Sequence, residues 1–441
     1  MKIVIVGGGS SYTPEIIEGL ILRHDVFPVD TITLVDIDSG KEKLEIVGAL
    51  AKRMIEKAGL SISLRWTLDR KEALKNADFV STQIRVGGLK AREKDERIPL
   101  SHGMIGQETN GAGGIFKAFR TIPVLLDLAK DVHEICPDAW IINFTNPAGI
   151  VTEALLKHGP HKKVIGVCNI PYNMTQSTAE ILNEDPDNVR IEFIGLNHFV
   201  FGSKVWVNGE NKLDTVIDAL IHQNVDFSPA NIVSLGWSET FLKSMQLLPN
   251  PYHQYYYQTA QTLKKDIEAF TNHGTRAEHV QAIEEELFDV YRDQELNMKP
   301  QQLEQRGGAY YSDVACSLMS ALYNNSEAIM TVNTLNRGAI IDLPDDAVIE
   351  VNSIITKEGP VPLVIGRLPQ QIKADLLMMK AFEEQVIAAS VSGRYQDAYL
   401  AFIMNPLIKD EKKAKTVLDE LLVAHQAFLP QFKSVKPIHN A

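Results

Sequence analysis

The chain begins with MKIVIVGGGSSYTP, and this stretch, together with TITLVD at Thr31–Asp36, decides the fold. Lys2–Val6 is a short apolar run typical of a buried β-strand, and Gly7–Gly9 follows it directly. A helical pattern then extends from Pro14 to about Arg23, with its apolar residues on one face. The second strand ends in an acid. This order of strand, glycine loop, helix, strand and acid predicts the first half of a dinucleotide-binding unit.

The glycine loop would let the backbone approach a pyrophosphate at the N-terminus of the first helix, because glycine has no Cβ. Gly7, Gly9 and Ser10 are therefore candidate nucleotide contacts. Asp36 can accept hydrogen bonds from a ribose diol, and its charge would repel a 2′-phosphate, which favours NAD over NADP. The usual fingerprint has a third glycine three residues after Gly9, where this chain has Tyr12. A generic tight turn, with Asp36 solvated at the end of its strand, is the alternative.

Further strand-like runs alternate with helical segments, which predicts βαβ units and a parallel sheet. These runs are Phe79–Arg85, Ala139–Phe144, Lys163–Val167 and Ile191–Leu196. After about residue 198 helical segments dominate, with short strand candidates at Ala328–Asn333 and Ala347–Val351. We expect an α/β fold with a Rossmann-like parallel sheet in residues 1–196 and a second α/β region in residues 197–441.

The composition excludes several classes of protein. Of 441 residues, 45% are hydrophobic and 23% charged, which is typical of a globular chain and not of a disordered or collagen-like one. The net charge of −12 disfavours general binding of nucleic acid or anionic membranes. No apolar stretch approaches the roughly 18 residues of a spanning helix. Three sparse cysteines predict free thiols and a cytoplasmic location.

Polar side chains follow several of the predicted strands, at the edge of a parallel sheet where ligands bind. Cys168 follows KVIGV and His198 follows IEFIGL, and we expect these consecutive strands to be neighbours. A thiolate and an imidazole can hold a divalent metal while leaving positions open for substrate oxygens. The alternatives are a cysteine that serves as a small buried hydrophobe and a histidine bonded to the backbone.

A tyrosine cluster in NPYHQYYY at Asn250–Tyr257 is the other candidate for chemistry. A tyrosine held near a cation can act as a base, because the positive charge favours the phenolate. The alternative is an aromatic face of a helix. Arg276 opens a helical segment and could contribute a guanidinium to an anion site, or it is an ordinary charge at the start of a helix.

Taken in order, eight motifs resemble glycoside hydrolase family 4, which is NAD- and metal-dependent and does not use the usual two-carboxylate scheme. The motifs are GGGSSYTP, QIRVGG, REKDERIPL, GQETNGAGG, FTNPAG, CNIP, GLNH and NPYHQYY. They extend from the start of the chain to about residue 280. The resemblance is greatest to the members that act on 6-phospho-β-glucosides, and it implies a fold like that of lactate and malate dehydrogenases.

The resemblance implies a role for each matching residue. NAD would be bound by Gly7, Gly9, Ser10 and Asp36, with Glu108 of the GQET loop near cofactor and substrate. The metal, manganese or another divalent ion, would be held by Cys168 and His198. Arg92 would grip the 6-phosphate, and Asn146, Asn169 and Arg276 would contact the substrate. Tyr252 best matches the base, although Tyr255 and Tyr256 are close to it in sequence.

Asn169 departs from part of the family. Members that act on α-linked sugars carry an aspartate directly after the metal cysteine, as a general acid. The amide of Asn169 cannot donate a proton in this way. In the family this asparagine accompanies β-linked phosphosugars, so the departure favours the β configuration and leaves the general acid unidentified.

The resemblance also implies the reaction. C3 of the sugar is oxidised by NAD, C2 loses a proton, the aglycone leaves C1 by elimination, water adds, and C3 is reduced again. Hydrolysis of a phosphorylated disaccharide or aryl glucoside to glucose 6-phosphate therefore consumes no NAD. The expected assembly is a homodimer or homotetramer. The alternatives are a 6-phospho-α-glucosidase or related family member, a net NAD-dependent dehydrogenase and a non-catalytic NAD sensor.

Overall fold

The computed structural model describes residues 1–223, 225–228, 234–306 and 310–433. The strands of the first half are β1 (Lys2–Val6), β2 (Thr31–Val35), β3 (Ser63–Thr67), β4 (Phe79–Thr82), β5 (Trp140–Asn143), β6 (Val164–Gly166) and β7 (Val189–Leu196). Those of the second half are β8 (Phe199–Val207), β9 (Glu210–Asn211), β10 (Leu248–Pro249), β11 (Ile329–Leu335), β12 (Val348–Thr356) and β13 (Gly359–Pro362).

The helices of the first half are α1 (Thr13–Leu22), α2 (Lys41–Lys57), α3 (Arg70–Leu74), α4 (Gly88–Ser101), α5 (Gly111–Ile135), α6 (Ala148–His158) and α7 (Ile170–Leu182). Those of the second half are α8 (Leu213–His222), α9 (Glu239–Met245), α10 (Gln254–Tyr257), α11 (Thr259–His273), α12 (Arg276–Tyr291), α13 (Tyr311–Asn324), α14 (Gln370–Ser392), α15 (Tyr395–Met404) and α16 (Glu411–Ala424). In the described residues, no helix combines the length and the apolar character needed to cross a membrane.

Among the described residues, nine strands form one sheet in the order β13-β12-β11-β6-β5-β4-β1-β2-β3. From β3 to β6 every neighbouring pair is parallel. The strand order 3-2-1-4-5-6 is that of the doubly wound dinucleotide-binding fold, so the expected Rossmann-like parallel sheet is confirmed. Strand β3 was not predicted, because SLRWT at this edge is polar and mostly half-buried.

The second half of the chain extends the same sheet. Strand β11 runs antiparallel beside β6, with Asn333 opposite Gly166, and β12 and β13 continue outward from it. The division into residues 1–196 and 197–441 stays a prediction, and the strands of the second part complete the sheet of the first.

One predicted strand was assigned to the wrong sheet. Ile191–Leu196 lies in β7, which pairs antiparallel with β8 in a separate sheet and not parallel with β6. The physical reason is the length of the connection. Only Asn197 and His198 separate β7 from β8, and two residues suffice for a hairpin but not for a crossover. His198 adopts a left-handed conformation in this turn, with φ of 62°.

Candidate active site

The glycine loop is closed against the ends of two strands. The backbone N–H groups of Gly7 and Gly8 both donate to the carbonyl of Val35, at 2.9 and 2.8 Å. Gly7 has a φ of +87°, and a Cβ there would lie 2.8 Å from the carbonyl oxygen of Gln83. Ser10 donates its N–H to Gly7 at 3.0 Å and so completes the turn before α1. This cradle has no room for side chains at Gly7, as expected where backbone must approach a phosphate.

Asp36 lies at this loop, as the sequence predicts. Its Oδ2 accepts the Gly9 N–H at 2.8 Å, and its Oδ1 accepts the N–H of Ile37. A Cβ on Gly9 would lie 2.9 Å from the same carboxylate. The loop and the acid therefore fit an adenosine ribose and pyrophosphate, with Gly7, Gly9, Ser10 and Asp36 in one place.

Cys168 lies just past the end of β6, at the start of α7, and it is buried. The backbone N–H groups of Asn169 and Ile170 and the side chain of Asn197 lie near its sulfur and lower the pKa of the thiol. Burial raises the pKa of the Cys168 thiol, and the nearby carboxyl of Glu350 raises it further. The thiolate therefore forms when a cation takes the place of the proton.

His198 is also buried, and its ring stacks on that of Tyr252 with centroids 4.0 Å apart and an interplanar angle of 16°. Burial lowers the pKa of His198 to about 3. The imidazole is therefore neutral at physiological pH and keeps a lone pair for a metal.

Hydrogen bonds of Asn250 hold the turn that carries Tyr252. Asn250 donates its Nδ2–H to the carbonyl of Val200 at 2.9 Å and accepts the Tyr252 N–H at 2.7 Å. The Asn250 N–H in turn donates to Nδ1 of His253. Segment NPYH thus forms a capped 3₁₀ turn, Pro251–His253, which fixes the ring of Tyr252 over His198.

Tyr252 faces both candidate metal ligands. Burial raises the pKa of its phenol, the charge of Glu108 and a thiolate at Cys168 raise it further, and a hydrogen bond with Thr109 opposes them. The other two tyrosines have different surroundings. Tyr256 donates its hydroxyl to Asn110 Oδ1 at 3.1 Å, and Tyr255 lies near Asp266 and Glu96. Of the three, Tyr252 is the one that stacks on His198.

The donor set fits a divalent metal with open positions. Within the described ranges, no three residues among the histidines, cysteines, aspartates and glutamates are grouped to hold an ion. Cys168 and His198, brought together around Tyr252, supply a thiol and a neutral imidazole. Two such donors suit a metal whose remaining positions are taken by oxygens of a substrate.

Glu108 is surrounded by cations. It forms ion pairs with Arg85, with Arg92 (Nη1–Oε1 3.2 Å) and with Lys117 (Nζ–Oε2 2.9 Å). Burial opposes ionisation, but these three charges hold the pKa of Glu108 well below its usual range. Burial lowers the pKa of Lys117 to about 8. The sequence reasoning did not single out Lys117, although a lysine in the apolar run GGIFKAF was an available signal.

Glu96 connects Arg92 to the helix that begins at Arg276. Arg92 and Glu96 lie one turn apart on α4, with Arg92 Nε 2.6 Å from Glu96 Oε1. Glu96 Oε2 accepts the backbone N–H of Ala277 at 2.8 Å, and Arg276 is the first residue of that helix, α12. The second half of the chain therefore brings the N-terminus of α12, with Arg276 as its first residue, next to the Arg92–Glu96 pair.

Asn146 and Asn169 follow the adjacent parallel strands β5 and β6. Asn146 precedes Pro147 through a cis peptide, and its Oδ1 accepts the N–H of Ala148 at 3.3 Å. Asn169 is the residue at the start of α7 beside Cys168. Both amides are half-buried at the edge of the sheet that carries the other candidate residues.

Comparison with known proteins identifies relatives along almost the whole chain. It is 52% identical over 432 residues to a probable 6-phospho-β-glucosidase of Bacillus subtilis, covering 98% of both chains. It is 45% identical to a 6-phospho-β-glucosidase of Escherichia coli, covering 98% of this chain and 97% of that one. A phospho-α-glucosidase of Clostridium acetobutylicum is 32% identical, covering 97% and 98%.

Solved structures agree with these relatives. The 6-phospho-β-glucosidase of Thermotoga maritima, solved with manganese, NAD⁺ and glucose 6-phosphate, superposes with a TM-score of 0.89 at 34% identity. The match covers 97% of this chain and 99% of that one. Malate dehydrogenase of Plasmodium falciparum matches with a TM-score of 0.52 at 13% identity, covering 91% and 99%, which concerns the fold alone.

The family assignment rests on both halves of the chain. The sequence profile of the family 4 glycosyl hydrolases matches residues 2–184, and that of their C-terminal domain matches residues 193–408. The dinucleotide-type sheet agrees with that assignment. This chain belongs to family 4 of the glycosyl hydrolases.

Proposed function

We propose that this protein hydrolyses 6-phospho-β-glucosides to glucose 6-phosphate and an aglycone, with NAD and manganese as cofactors. One observation carries the proposal. Tyr252 lies against His198, close to Cys168, beside a buried cluster of cations. The identity to 6-phospho-β-glucosidases over nearly the full length supports the same activity.

The chain's residues divide the chemistry between them. The bound cofactors supply a reversible oxidation at C3 and a Lewis acid. Cys168 and His198 hold the metal, and Tyr252 removes the proton from C2 of the sugar. Burial and the charge of Glu108 keep the phenol of Tyr252 protonated, and a cation held at Cys168 would favour its phenolate.

The cationic cluster explains how an acidic protein binds an anionic substrate. Arg85, Arg92 and Lys117 surround Glu108, and Arg276 lies one residue from the backbone group that bonds to Glu96. The cations of this cluster outnumber its two carboxylates. We assign the 6-phosphate to Arg92 and Arg276, because guanidinium groups bind phosphate oxygens in pairs.

Asn169 supports the β configuration. It stands beside Cys168, where a carboxylic acid would be placed to protonate a leaving group. An amide cannot serve as that acid, so departure of the aglycone relies on a good leaving group or on water. Asn146, on the next loop, is assigned to a sugar hydroxyl.

The test is hydrolysis of a chromogenic 6-phospho-β-glucoside, with NADH absorbance followed in parallel. The assay is run with NAD⁺ and Mn²⁺ together and with each omitted, and an unphosphorylated glucoside and a 6-phospho-α-glucoside are tested alongside. We expect aglycone release that needs both cofactors and accumulates no NADH. Stoichiometric NADH would show a dehydrogenase, and cleavage of the 6-phospho-α-glucoside alone would show the α activity; either result overturns the proposal.

We also propose a cytoplasmic homodimer or homotetramer. The three cysteines are buried free thiols, which supports a reducing compartment. Size-exclusion chromatography with light scattering measures the assembly, and a monomeric mass at micromolar concentration would contradict it.

A further inference from the structure

A buried carboxyl from the second half of the chain lies behind the candidate metal site. Glu350 of β12 is paired across the sheet with Asn333 of β11, and Asn333 is paired with Gly166 of β6. Gly166 is two residues before Cys168. The antiparallel extension of the sheet therefore brings Glu350 to the end of the strand that carries the candidate thiol ligand.

Glu350 has amide partners on one oxygen. It is fully buried, and its Oε1 accepts hydrogen bonds from Asn333 Nδ2 at 2.8 Å and from Asn197 Nδ2 at 3.2 Å. In the described part of the chain, nothing bonds to its Oε2. Glu153, an equally buried carboxyl, has the ammonium groups of Lys157 and Lys380 as partners. Glu350 thus faces the interior without a basic side chain among its hydrogen-bond partners.

Asn197 connects this carboxyl to both candidate ligands. Its Nδ2 bonds to Glu350, and its side chain lies close enough to the sulfur of Cys168 to lower the pKa of the thiol. Its Oδ1 accepts the Gly149 N–H at 3.3 Å, which ties it to the start of α6. In sequence it directly precedes His198. Asn197 therefore links Glu350 to the thiol ligand and to the turn that carries the imidazole ligand.

A carboxyl in this position is unfavourable without a cation. Moving an ionised carboxylate from water into a protein interior is costly unless an opposite charge compensates it. A thiolate at Cys168 would add a second negative charge nearby. A divalent cation between Cys168 and His198 would compensate both charges, since low-dielectric surroundings strengthen their attraction to it.

We propose that Glu350 is a positioning residue of the metal site, whose carboxylate supplies negative charge behind Cys168 and orients Asn197 toward the sulfur. The inference rests on the proposed metal at Cys168 and His198. No role for this glutamate follows from the motifs of the first half, because it reaches the site only through the antiparallel strands.

The sign of the effect on metal affinity follows from charge. Removing the carboxylate makes it easier for Cys168 to lose its proton, which by itself favours metal binding. At equal distance, however, the Coulomb attraction of the carboxylate is twice as large for a divalent cation as for a single proton, so the cation loses more when the carboxylate is removed. The net result is weaker metal binding at a pH where Glu350 is ionised.

Two variants separate charge from shape. Glu350→Gln keeps the size and the Oε1 acceptor but removes the charge, whereas Glu350→Asp keeps the charge and shortens the side chain. A charge role predicts that Mn²⁺ affinity falls in the order native, Asp, Gln. A purely structural role, in which Glu350 only orients Asn197, predicts that Gln resembles the native protein and Asp is the weaker variant.

The measurement is Mn²⁺ binding to the full-length protein at pH 8, followed by the electron paramagnetic resonance signal of the free ion. Burial and the nearby charge of Glu383 raise the pKa of Glu350 to about 7, and pH 8 lies above that value. We expect Glu350→Gln to raise the Mn²⁺ dissociation constant on the order of 10- to 100-fold, as for other residues that support metal ligands. NAD affinity, measured by fluorescence, should not change.

The matched control is Glu15→Gln. Glu15 is buried, burial raises its pKa too, and it bonds to Ser312 on the nucleotide side. Its Mn²⁺ affinity should equal that of the native protein. Unfolding temperatures establish that each variant folds, and Glu350→Asp keeps the test decisive if the Gln variant does not.

Two results would overturn the inference. The first rejects only the role of Glu350, and the second also rejects the metal site. If Glu350→Gln binds Mn²⁺ like the native protein, or better than Glu350→Asp, the charge role is wrong while the metal assignment stands. If the native protein binds no Mn²⁺, or if Cys168→Ala binds it equally well, the metal assignment itself is wrong and the inference fails with it.

Discussion

The two ends of the candidate site are built in opposite ways. The nucleotide end lies within a single βαβ unit, where Gly9 and Asp36, 27 residues apart, share a hydrogen bond. The chemistry end combines Cys168, His198 and Tyr252 from three different turns and adds cations from α4 and α5. A short sequence motif is enough to predict the nucleotide end, because its residues lie in one local loop. The chemistry end depends on tertiary contacts, which no short motif describes.

This contrast separates the expected effects of mutations. Changes at the chemistry end should stop turnover and leave NAD binding intact. Changes at the nucleotide end should weaken NAD and leave the chemical step unaltered once NAD saturates.

The largest effect is expected for Cys168→Ala, which removes one of the two proposed metal ligands. Loss of a Lewis acid worth several kcal/mol should lower kcat/KM for a 6-phospho-β-glucoside by about 10⁴-fold. Titration with NAD, followed by fluorescence, should give the native dissociation constant. Activity within tenfold of the native protein would show that the chemistry does not depend on this thiol.

Tyr252→Phe comes next and tests which tyrosine is the base. Loss of a general base should reduce kcat by about 10³-fold. In D₂O the native enzyme should place deuterium at C2 of glucose 6-phosphate, observable by NMR, and the variant should not. Tyr255→Phe is the control, because that tyrosine is equally buried but does not stack on His198. If Tyr255→Phe stops the exchange and Tyr252→Phe does not, the assignment is reversed.

Much of the fold was predictable from the sequence, and the exceptions have physical causes. The runs that became β1, β2, β5 and β6 are mainly apolar because both faces of a parallel sheet are covered by helices. Strand β3 lies at the edge of the sheet, where Ser63 and Arg65 can remain exposed or half-exposed, so it has no such signal. Strand β7 carries the apolar signal, but its pairing depends on β8, which begins two residues later.

The candidate site was less predictable, and the reason is distance along the chain. Cys168 and His198 do converge, but not through neighbouring parallel strands as expected. The hairpin turn places His198 against the ring of Tyr252, and Tyr252 in turn lies near Cys168. Their assignment depended on the ordered motifs of the family and not on spacing. Glu350 had one available signal, a lone acid in the apolar strand VIEVNSII, which indicates a buried carboxyl but not what it faces.

Gly9→Ala is the matching test at the nucleotide end. The added Cβ would lie 2.9 Å from Asp36 Oδ2 and 3.0 Å from the Leu44 nitrogen, so the loop or the acid must shift. Overpacking of 1–3 kcal/mol should raise the NAD dissociation constant by about 10- to 100-fold, with kcat little changed at saturation. In the control, Gly59→Ala, nothing lies within 4 Å of the new Cβ, and its φ of +67° costs about 1 kcal/mol of stability without affecting NAD. Equal NAD affinities for the two variants would contradict the assignment of the glycine loop to NAD binding.

The smallest effect is expected at Lys117. Its titration should change kcat/KM with pH but leave NAD affinity unchanged. Burial lowers the pKa of Lys117 to about 8, so raising the pH through that value removes one of the three cations around Glu108. The cluster then attracts a phosphate less strongly, so kcat/KM should fall on the alkaline side of pH 8. This fall is the alkaline limb of the pH profile, and NAD affinity should not show it. Lys117→Met should lower kcat/KM about tenfold at pH 7, as expected for the loss of a charged hydrogen-bonding partner, and should abolish the limb. An unchanged alkaline limb in Lys117→Met would mean that another group titrates there, and the phosphate site would then rest on its arginines alone.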